Sequence, residues 1–122
     1  MAGIVVDDLQ AAGAWYEMVL GRPPDAAPMD GLLEWHLLGD GWLQVVDVQK
    51  VRAIQHSPKW GPAGASSVAF VIGDLDDQLA RFAANGIEVV SRYSTESHFE
   101  TATVRDPAGN FVTFVEEPPL KV

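Results

Sequence analysis

The sequence predicts an α+β fold in which tandem βαβββ repeats form a curved mixed sheet around a concave pocket, with helices on the outer face. Residues 6–9 align with residues 72–75 at an offset of 66, and residues 42–47 align with residues 111–116 at an offset of 69. In each half a short apolar run precedes an amphipathic helix, and further strands follow. A nearly constant offset with one order of elements indicates an internal repeat.

The first half begins with a short β-rich run and continues into a helix. Asp8 is a typical N-cap, apolar residues recur after it at helical spacing, and Gly21 ends the pattern. Residues 25–31 are rich in turn formers, and residues 39–41, Gly-Asp-Gly, predict a hairpin. Strands are predicted over residues 3–7, 32–38 and 42–48.

The second half repeats this order. Asp74 is the predicted N-cap of a helix that ends at Asn85 and Gly86, and residues 106–110 form a turn between the last two strands. Strands are predicted over residues 67–72, 87–93, 99–104 and 111–116.

A chain of 122 residues is long enough for one domain. We expect residues 1–122 to form that domain from two βαβββ units, at about residues 1–48 and 66–117, with a loop over residues 49–65 between them. This loop is the only basic stretch. We expect its residues Arg52, Lys59 and Trp60 to cover a groove or to reach a partner subunit, and His56 to be a surface histidine.

Composition limits the classes of partner. The 17 acidic and 8 basic residues give a formal charge of −9, so the surface repels a phosphate backbone, and we expect no nucleic acid partner. No apolar run approaches the ~18 residues of a membrane span, and the first residues do not resemble a signal peptide. We therefore expect a cytoplasmic protein without a membrane partner. The chain has no cysteine, which excludes disulfides and thiolate ligands.

Two motifs connect this pattern to a known family. Residues 15–21 read Trp-Tyr-Glu-Met-Val-Leu-Gly, and residues 106–110 read Asp-Pro-Ala-Gly-Asn. Together with the βαβββ repeat, these segments resemble the vicinal oxygen chelate superfamily, which includes glyoxalase I, extradiol dioxygenases and the bleomycin-resistance proteins. The resemblance extends over residues 4–116. It is closest in type to metal-free, bleomycin-resistance-like binding proteins, and it implies a homodimer whose subunits complete each other's pockets.

The resemblance also implies where a metal would be held. Metal-dependent members of the superfamily bind a divalent ion with His and Glu side chains from four strand positions. These positions correspond to Met1, Gln44, Ser67 and Thr113 in this sequence. A thioether, an amide and two hydroxyls do not hold Zn²⁺, Fe²⁺ or Mn²⁺ tightly. We therefore predict no metal, no other cofactor and no catalytic residue at this site.

Strand alternation and the four tryptophans predict the lining of the pocket. Val68, Phe70 and Ile72 are the large residues of their strand and are predicted to face the helix, which leaves the alternate residues on the concave face. Flat rings on that face would stack on a planar ligand, and neutral polar groups would orient it. The predicted ligand-binding residues are Trp35, Trp42, Gln44, Val46, Trp60, Ser67, Ala69, Thr101, Thr103, Phe111 and Thr113.

The leading hypothesis is a metal-free protein that sequesters an aromatic natural product or antibiotic, with a small-molecule partner and a second copy of itself. The alternative is a lyase, isomerase or dioxygenase of the same superfamily with a displaced metal or acid–base residues. Two pairs, Glu34 with His36 and His98 with Glu100, are the candidates because each places an imidazole and a carboxylate on one strand face. A third hypothesis is an interaction module whose pocket is filled by side chains.

Overall fold

The computed structural model describes residues 2–37, 41–47, 49–50 and 62–118. Two helices lie entirely within these residues, α1 (Leu9–Leu20) and α2 (Leu75–Ala84). The strands are β1 (Ala2–Val6), β2 (Ala26–Met29), β3 (Leu32–His36), β4 (Trp42–Asp47), β5 (Ser67–Ile72), β6 (Ser91–Ser94), β7 (Glu100–Arg105) and β8 (Phe111–Glu116).

The strands form two mixed four-stranded sheets, one in each half of the chain. Their orders are β1-β4-β3-β2 and β5-β8-β7-β6, so each half has the same topology. In each sheet the first strand pairs in parallel with the last, and the remaining pairs are antiparallel. The predicted α+β class with tandem βαβββ units is confirmed.

The helices begin and end where the sequence indicates. The Asp8 carboxylate accepts a hydrogen bond from the Ala11 backbone nitrogen at 3.1 Å, and Gly21 ends α1 with a φ of 79°. Asp74 caps α2 in the same way through the Asp77 nitrogen. A left-handed φ is easily reached only by glycine, which explains why α1 stops at Gly21.

The structure differs from three local predictions. Strand β2 was not predicted, because Pro28 and the short length of this segment, which pairs irregularly with β3, hide the strand pattern. In the second half, β6 begins at Ser91 although the prediction began at residue 87. Residues 49 and 50 are helical and not part of a loop, and the predicted helical turn near residues 51–54 lies outside the described residues.

The helices and one side of each sheet enclose a single apolar core. Tyr16, Phe82 and Phe114 are almost fully buried there, and Trp35 packs against Tyr16 with a ring-centroid distance of 6.1 Å. As predicted, Val68, Phe70 and Ile72 pack against this core from the helix side of β5. The alternate residues of the strands therefore lie on the opposite side of each sheet.

A buried polar network joins the two halves at the turn between β7 and β8. The Tyr16 hydroxyl donates to Asp106 Oδ2 at 2.8 Å, and Asn110 Nδ2 donates to the Val5 carbonyl at 2.8 Å. The Ser66 backbone nitrogen donates to Asn110 Oδ1, also at 2.8 Å. Burial, and secondly the charge and hydrogen bond of Asp106, raise the pKa of Tyr16 above its ordinary value. The network fixes the end of β1 next to the start of β5.

Candidate functional site

The candidate site is the side of each sheet that faces away from the helices, which we call the inner face. Its members are identified by strand register, because side chains that alternate with the core residues point to this side. In the first half they are Gly3, Val5, Leu32, Glu34, His36, Trp42, Gln44 and Val46. In the second half they are Ser67, Ala69, Val71, Ser91, Tyr93, Thr101, Thr103, Arg105, Phe111, Thr113 and Val115.

Two cross-strand pairs between β3 and β4 dominate the inner face of the first half. His36 stacks on Trp42, with ring centroids 4.2 Å apart and an interplanar angle of 18°. Glu34 lies opposite Gln44, whose Nε2 donates to Glu34 Oε2 at 2.7 Å. The other carboxylate oxygen, Oε1, is 3.6 Å from His36 Nε2. Four side chains thus combine a flat ring surface with a carboxylate held by an amide.

The corresponding pairs of the second half lie between β7 and β8. The Arg105 guanidinium is 4.9 Å from the centroid of the Phe111 ring, within the range of a cation–π interaction. Thr103 lies opposite Thr113, and their hydroxyl oxygens are 2.8 Å apart. This half therefore also has a ring stacked with a neighbour and a hydrogen-bonded pair, but the pair is neutral.

The two sets of pairs are related by the internal repeat. An offset of 69 residues carries His36 and Trp42 onto Arg105 and Phe111, and it carries the Glu34–Gln44 pair onto the threonine pair. The register and the contacts are the same in both halves, while the chemistry of each pair differs. The first half has a carboxylate where the second has a hydroxyl.

The inner face leaves large apolar side chains in contact with solvent. Trp42 is 38% exposed, Phe111 41%, Tyr93 63% and Val71 66%. The only other large apolar side chain that is exposed within the described residues is Val90. A concentration of exposed apolar residues on one side of a molecule is typical of a ligand or protein contact surface.

The structure places most of the predicted pocket residues on the inner face, with two corrections. Trp35 lies instead on the helix side of β3, fully buried in the core, and its Nε1 donates to the Arg22 carbonyl at 3.0 Å. Side chains alternate between the two faces along β3, so Trp35 lies on the same face as Leu33 and is not available to a ligand. Val46 has inner-face register but is fully buried. Trp60 lies outside the described residues.

The two pairs considered for acid–base chemistry have different outcomes. Glu34 and His36 share the inner face, as their spacing predicts. His98 and Glu100 do not share a strand face, because His98 lies in an exposed turn with a φ of 68° and β7 begins only at Glu100. Glu100 instead accepts a hydrogen bond from the Ser94 hydroxyl at 2.6 Å. His56 is outside the described residues.

Arg105 is an inner-face residue that the sequence interpretation did not include. Its signal was available, because the offset of 69 that relates Trp42 to Phe111 also relates His36 to Arg105. The stacking of His36 on Trp42 depends on the register between β3 and β4, which the alternation of either strand alone does not give.

Two open clefts of the described surface include residues of the inner face. One, of about 410 Å³, lies between the edge of β5 and the end of α1, and its lining includes Leu20, Ala69, Val71 and Arg81. The other, of about 480 Å³, lies beside the turn after α2 and includes Trp15 and Arg105. Neither is lined by Trp42, Glu34 or Thr113.

Comparison with known proteins agrees with the architecture. A family model described as the glyoxalase/bleomycin resistance protein/dioxygenase superfamily matches residues 1–114. The chain belongs to this superfamily. A comparison with curated proteins found no match.

Several solved structures of the superfamily fold resemble the chain over almost its whole length. A lactoylglutathione lyase from Agrobacterium tumefaciens is 30% identical, with a TM-score of 0.80, over 95% of this chain and 91% of that one. A glyoxalase/bleomycin resistance protein from Catenulispora acidiphila is 28% identical, with a TM-score of 0.75, over 96% of both chains. TnmS3, an antibiotic-binding protein from a Streptomyces species, shares the fold with a TM-score of 0.75 at 22% identity, over 95% of this chain and 92% of that one.

The described residues at the superfamily's metal positions do not fit a divalent transition metal. Ser67 and Thr113 offer neutral hydroxyls, and the Thr113 hydroxyl is hydrogen-bonded to Thr103. Gln44 offers an amide whose nitrogen is bonded to Glu34. Met1, the fourth position, lies outside the described residues. Within residues 2–37, 41–47, 49–50 and 62–118, no group of three or more His, Cys, Asp or Glu side chains has metal-binding geometry.

Proposed function

We propose that the chain is a metal-free binding protein that sequesters a small aromatic molecule, such as a natural product or antibiotic, on its inner faces. The observation that carries this proposal is the exposed apolar surface of the inner face, with Trp42 and Phe111 at equivalent positions of the two halves. Flat rings flanked by Gln44, Thr103 and Thr113 suit a planar ligand that needs a few orienting hydrogen bonds.

The neutral donor set at the family's metal positions supports binding over Lewis-acid catalysis. Zn²⁺, Fe²⁺ and Mn²⁺ sites in proteins use anionic or imidazole ligands, which offset the loss of water from the ion. Gln44, Ser67 and Thr113 supply neither. The superfamily fold itself does not distinguish the two functions, since an antibiotic-binding protein and a lyase both have it.

We propose further that two copies of the chain complete each binding site. In one subunit Trp42 is 38% and Phe111 41% exposed, whereas small-molecule sites bury most of their ligand. A second subunit would cover the exposed Tyr93, Val71 and Phe111 and would enclose the ligand.

Titration of intrinsic tryptophan fluorescence tests the proposal. Planar polycyclic antibiotics of neutral, anionic and cationic character are added one by one, and we expect at least one to quench with saturation. Trp42→Phe is expected to remove most of the saturable quenching and to weaken binding about fivefold, since one stacking contact is worth roughly 1 kcal/mol.

Trp15→Phe is the matched control because Trp15 lies on α1, at the cleft beside the turn after α2, and not on the inner face. It should leave the affinity unchanged. If no compound in the panel quenches the native protein with saturation, the binding proposal fails.

One observation favours a second candidate, an enzyme of the same superfamily. Glu34 Oε1 and His36 Nε2 are 3.6 Å apart, so a carboxylate and an imidazole are close enough to act together in proton transfer. Elemental analysis of protein purified without a chelator distinguishes a metal-dependent form of this candidate. One equivalent of a transition metal per subunit would favour the enzyme over the binding protein.

A further inference from the structure

We infer that Glu34 selects ligands that carry a cationic nitrogen with N–H donors on the edge of a planar ring system. This inference rests on the proposed binding function and assigns its charge specificity to one residue. Glu34 is buried and incompletely paired within the described residues. Its equivalent in the second half is neutral, and it lies one cross-strand pair away from Trp42.

Glu34 is a carboxylate with very little contact with solvent. Only 9% of its side chain is exposed, whereas Trp42 on the same face is 38% exposed. Withdrawing a carboxylate from water is unfavourable unless a cation or several hydrogen bonds replace the water. A glutamate in this position therefore needs partners.

The partners that the described residues provide are incomplete. Oε2 accepts one hydrogen bond from the neutral Gln44 amide, and no Lys or Arg of the described residues forms an ion pair with the carboxylate. Among the described residues, the basic group near Oε1 is His36 Nε2 at 3.6 Å, which is too long for a hydrogen bond, and this buried nitrogen has no hydrogen-bond partner there. We place the cationic donor of the ligand at Oε1, where the described residues supply no hydrogen bond.

The fold does not require a charge at this position. In the second half the equivalent pair is Thr103 and Thr113, which occupy the same register and form a neutral hydrogen bond of 2.8 Å. The same sheet geometry is therefore satisfied without a carboxylate. The negative charge of Glu34 is an addition that only the first half carries, and a ligand explains it where sheet pairing does not.

The neighbouring pair defines the shape of the ligand. Trp42 lies one cross-strand pair away from Glu34 on the same face, a step of two residues that corresponds to about 7 Å. A ring system of two or three fused rings spans that distance. One of the rings would stack on the exposed part of Trp42, and a protonated amine, amidine or ring-bound amino group on the edge of the ring system would donate to the Glu34 carboxylate and to Gln44 Oε1.

The test compares two three-ring probes of the same shape at pH 7.5. 9-Aminoacridine is protonated and carries N–H donors, whereas acridine is neutral, and both are titrated by fluorescence and calorimetry against the full-length protein. We expect the native protein to bind the cation about tenfold more tightly. Glu34→Gln should remove this preference, weakening 9-aminoacridine about tenfold and acridine less than twofold, because only the charged probe loses an ion pair.

Two further variants keep the result interpretable. Glu96→Gln removes one negative charge from an exposed turn outside the inner face, so it reports the effect of net charge alone and should change neither affinity. The double variant Glu34→Thr with Gln44→Thr installs the pair that the second half already accommodates. It should fold and lose the preference for the cation.

Several outcomes overturn the inference. Equal affinity of the native protein for both probes would show that Glu34 does not discriminate by charge. The same conclusion would follow if Glu34→Gln and the double threonine variant lost affinity for both probes equally. Tight binding of Zn²⁺ alone, lost in Glu34→Gln while the preference for 9-aminoacridine persists, would assign Glu34 to a metal. If neither probe nor any compound of the antibiotic panel binds, the proposed function itself fails, which is distinguishable because acridine binding does not depend on Glu34.

Discussion

Single residues at the junction of the halves explain the most specific sequence motif. In the segment over residues 106–110, Asp106 Oδ1 accepts from the backbone nitrogens of Ala108 and Asn110, at 3.0 and 2.9 Å. Its other oxygen accepts from the Tyr16 hydroxyl and from Asn110 Nδ2, at 2.8 and 2.9 Å. The motif is thus a turn that is closed by a buried carboxylate, and it identifies the fold without taking part in ligand chemistry.

The Tyr16 hydroxyl gives a prediction for stability. Tyr16→Phe keeps the ring in the core but removes one of the donors to buried Asp106, which should lower the free energy of unfolding by about 1–2 kcal/mol at pH 7. The measurement is urea denaturation followed by circular dichroism.

The same substitution should reduce the loss of stability at alkaline pH. The pKa of Tyr16 is raised in the folded state, so above the ordinary tyrosine value of about 10 the unfolded chain loses this proton while the folded chain keeps it. Native stability should therefore fall with rising pH above that value, and the fall should be shallower in Tyr16→Phe. Parallel curves for the two proteins would contradict the assignment to Tyr16.

At the scale of elements, the contact between the two helices is polar as well as apolar. Arg81 Nη2 donates to the Met18 carbonyl at 2.7 Å, and Gln78 Nε2 donates to the Val19 carbonyl at 3.3 Å. The last carbonyls of a helix have no partner within the helix, so α2 supplies the donors that the C-terminal end of α1 lacks. The two repeats are held together on the helix side by these bonds.

Arg81→Met should weaken this contact. Methionine keeps an apolar stem of similar length but leaves the Met18 carbonyl without its donor, and we expect a loss of about 1 kcal/mol in the free energy of unfolding, read from the urea midpoint. Arg92→Met is the matched control, because Arg92 lies exposed on β6 and the same change there should be within about 0.5 kcal/mol of neutral. An equal effect of both variants would indicate a general consequence of lost charge.

Most elements were predictable because local signals agree with the fold. The caps Asp8 and Asp74, the terminator Gly21 and strand β5 appear in the structure as the sequence indicates. Strand β2 was not predictable, since its pairing with β3 is irregular and Pro28 is unfavourable in a strand.

The site was predictable in its faces but not in its contacts. Alternation assigned Trp42, Gln44 and Thr113 to the inner face, and the same rule applied to Leu33 would have placed Trp35 in the core. The stacking of His36 on Trp42 and the position of Glu34 beside Gln44 depend on the register between β3 and β4. Register is set by the turn that connects two strands and is weakly encoded in either strand alone.

At the scale of the whole molecule, the open inner faces predict self-association. Light scattering after size exclusion should give twice the chain mass. Val71→Lys, at a residue 66% exposed on the inner face of β5, should shift the protein towards the monomer, because a buried lysine is unfavourable in an apolar contact. Val90→Lys is the control, an exposed apolar residue outside the inner face. A native protein that is monomeric at micromolar concentration would contradict the prediction.

No helix within the described residues is both long and apolar enough to cross a bilayer. Four of the five exposed large apolar residues in the described part of the chain, Trp42, Val71, Tyr93 and Phe111, lie on the inner face.

The matching pairs of the two halves have a consequence for redesign. Glu34–Gln44 and Thr103–Thr113 occupy equivalent register positions in the two sheets. The pair found in one half is therefore a combination that the backbone of the other half is expected to tolerate. Exchanging the pairs between halves offers four versions of the molecule, with an acidic group on the first sheet, the second, both or neither. A binding surface whose charge can be rearranged without altering its scaffold is well suited to acquiring new ligands.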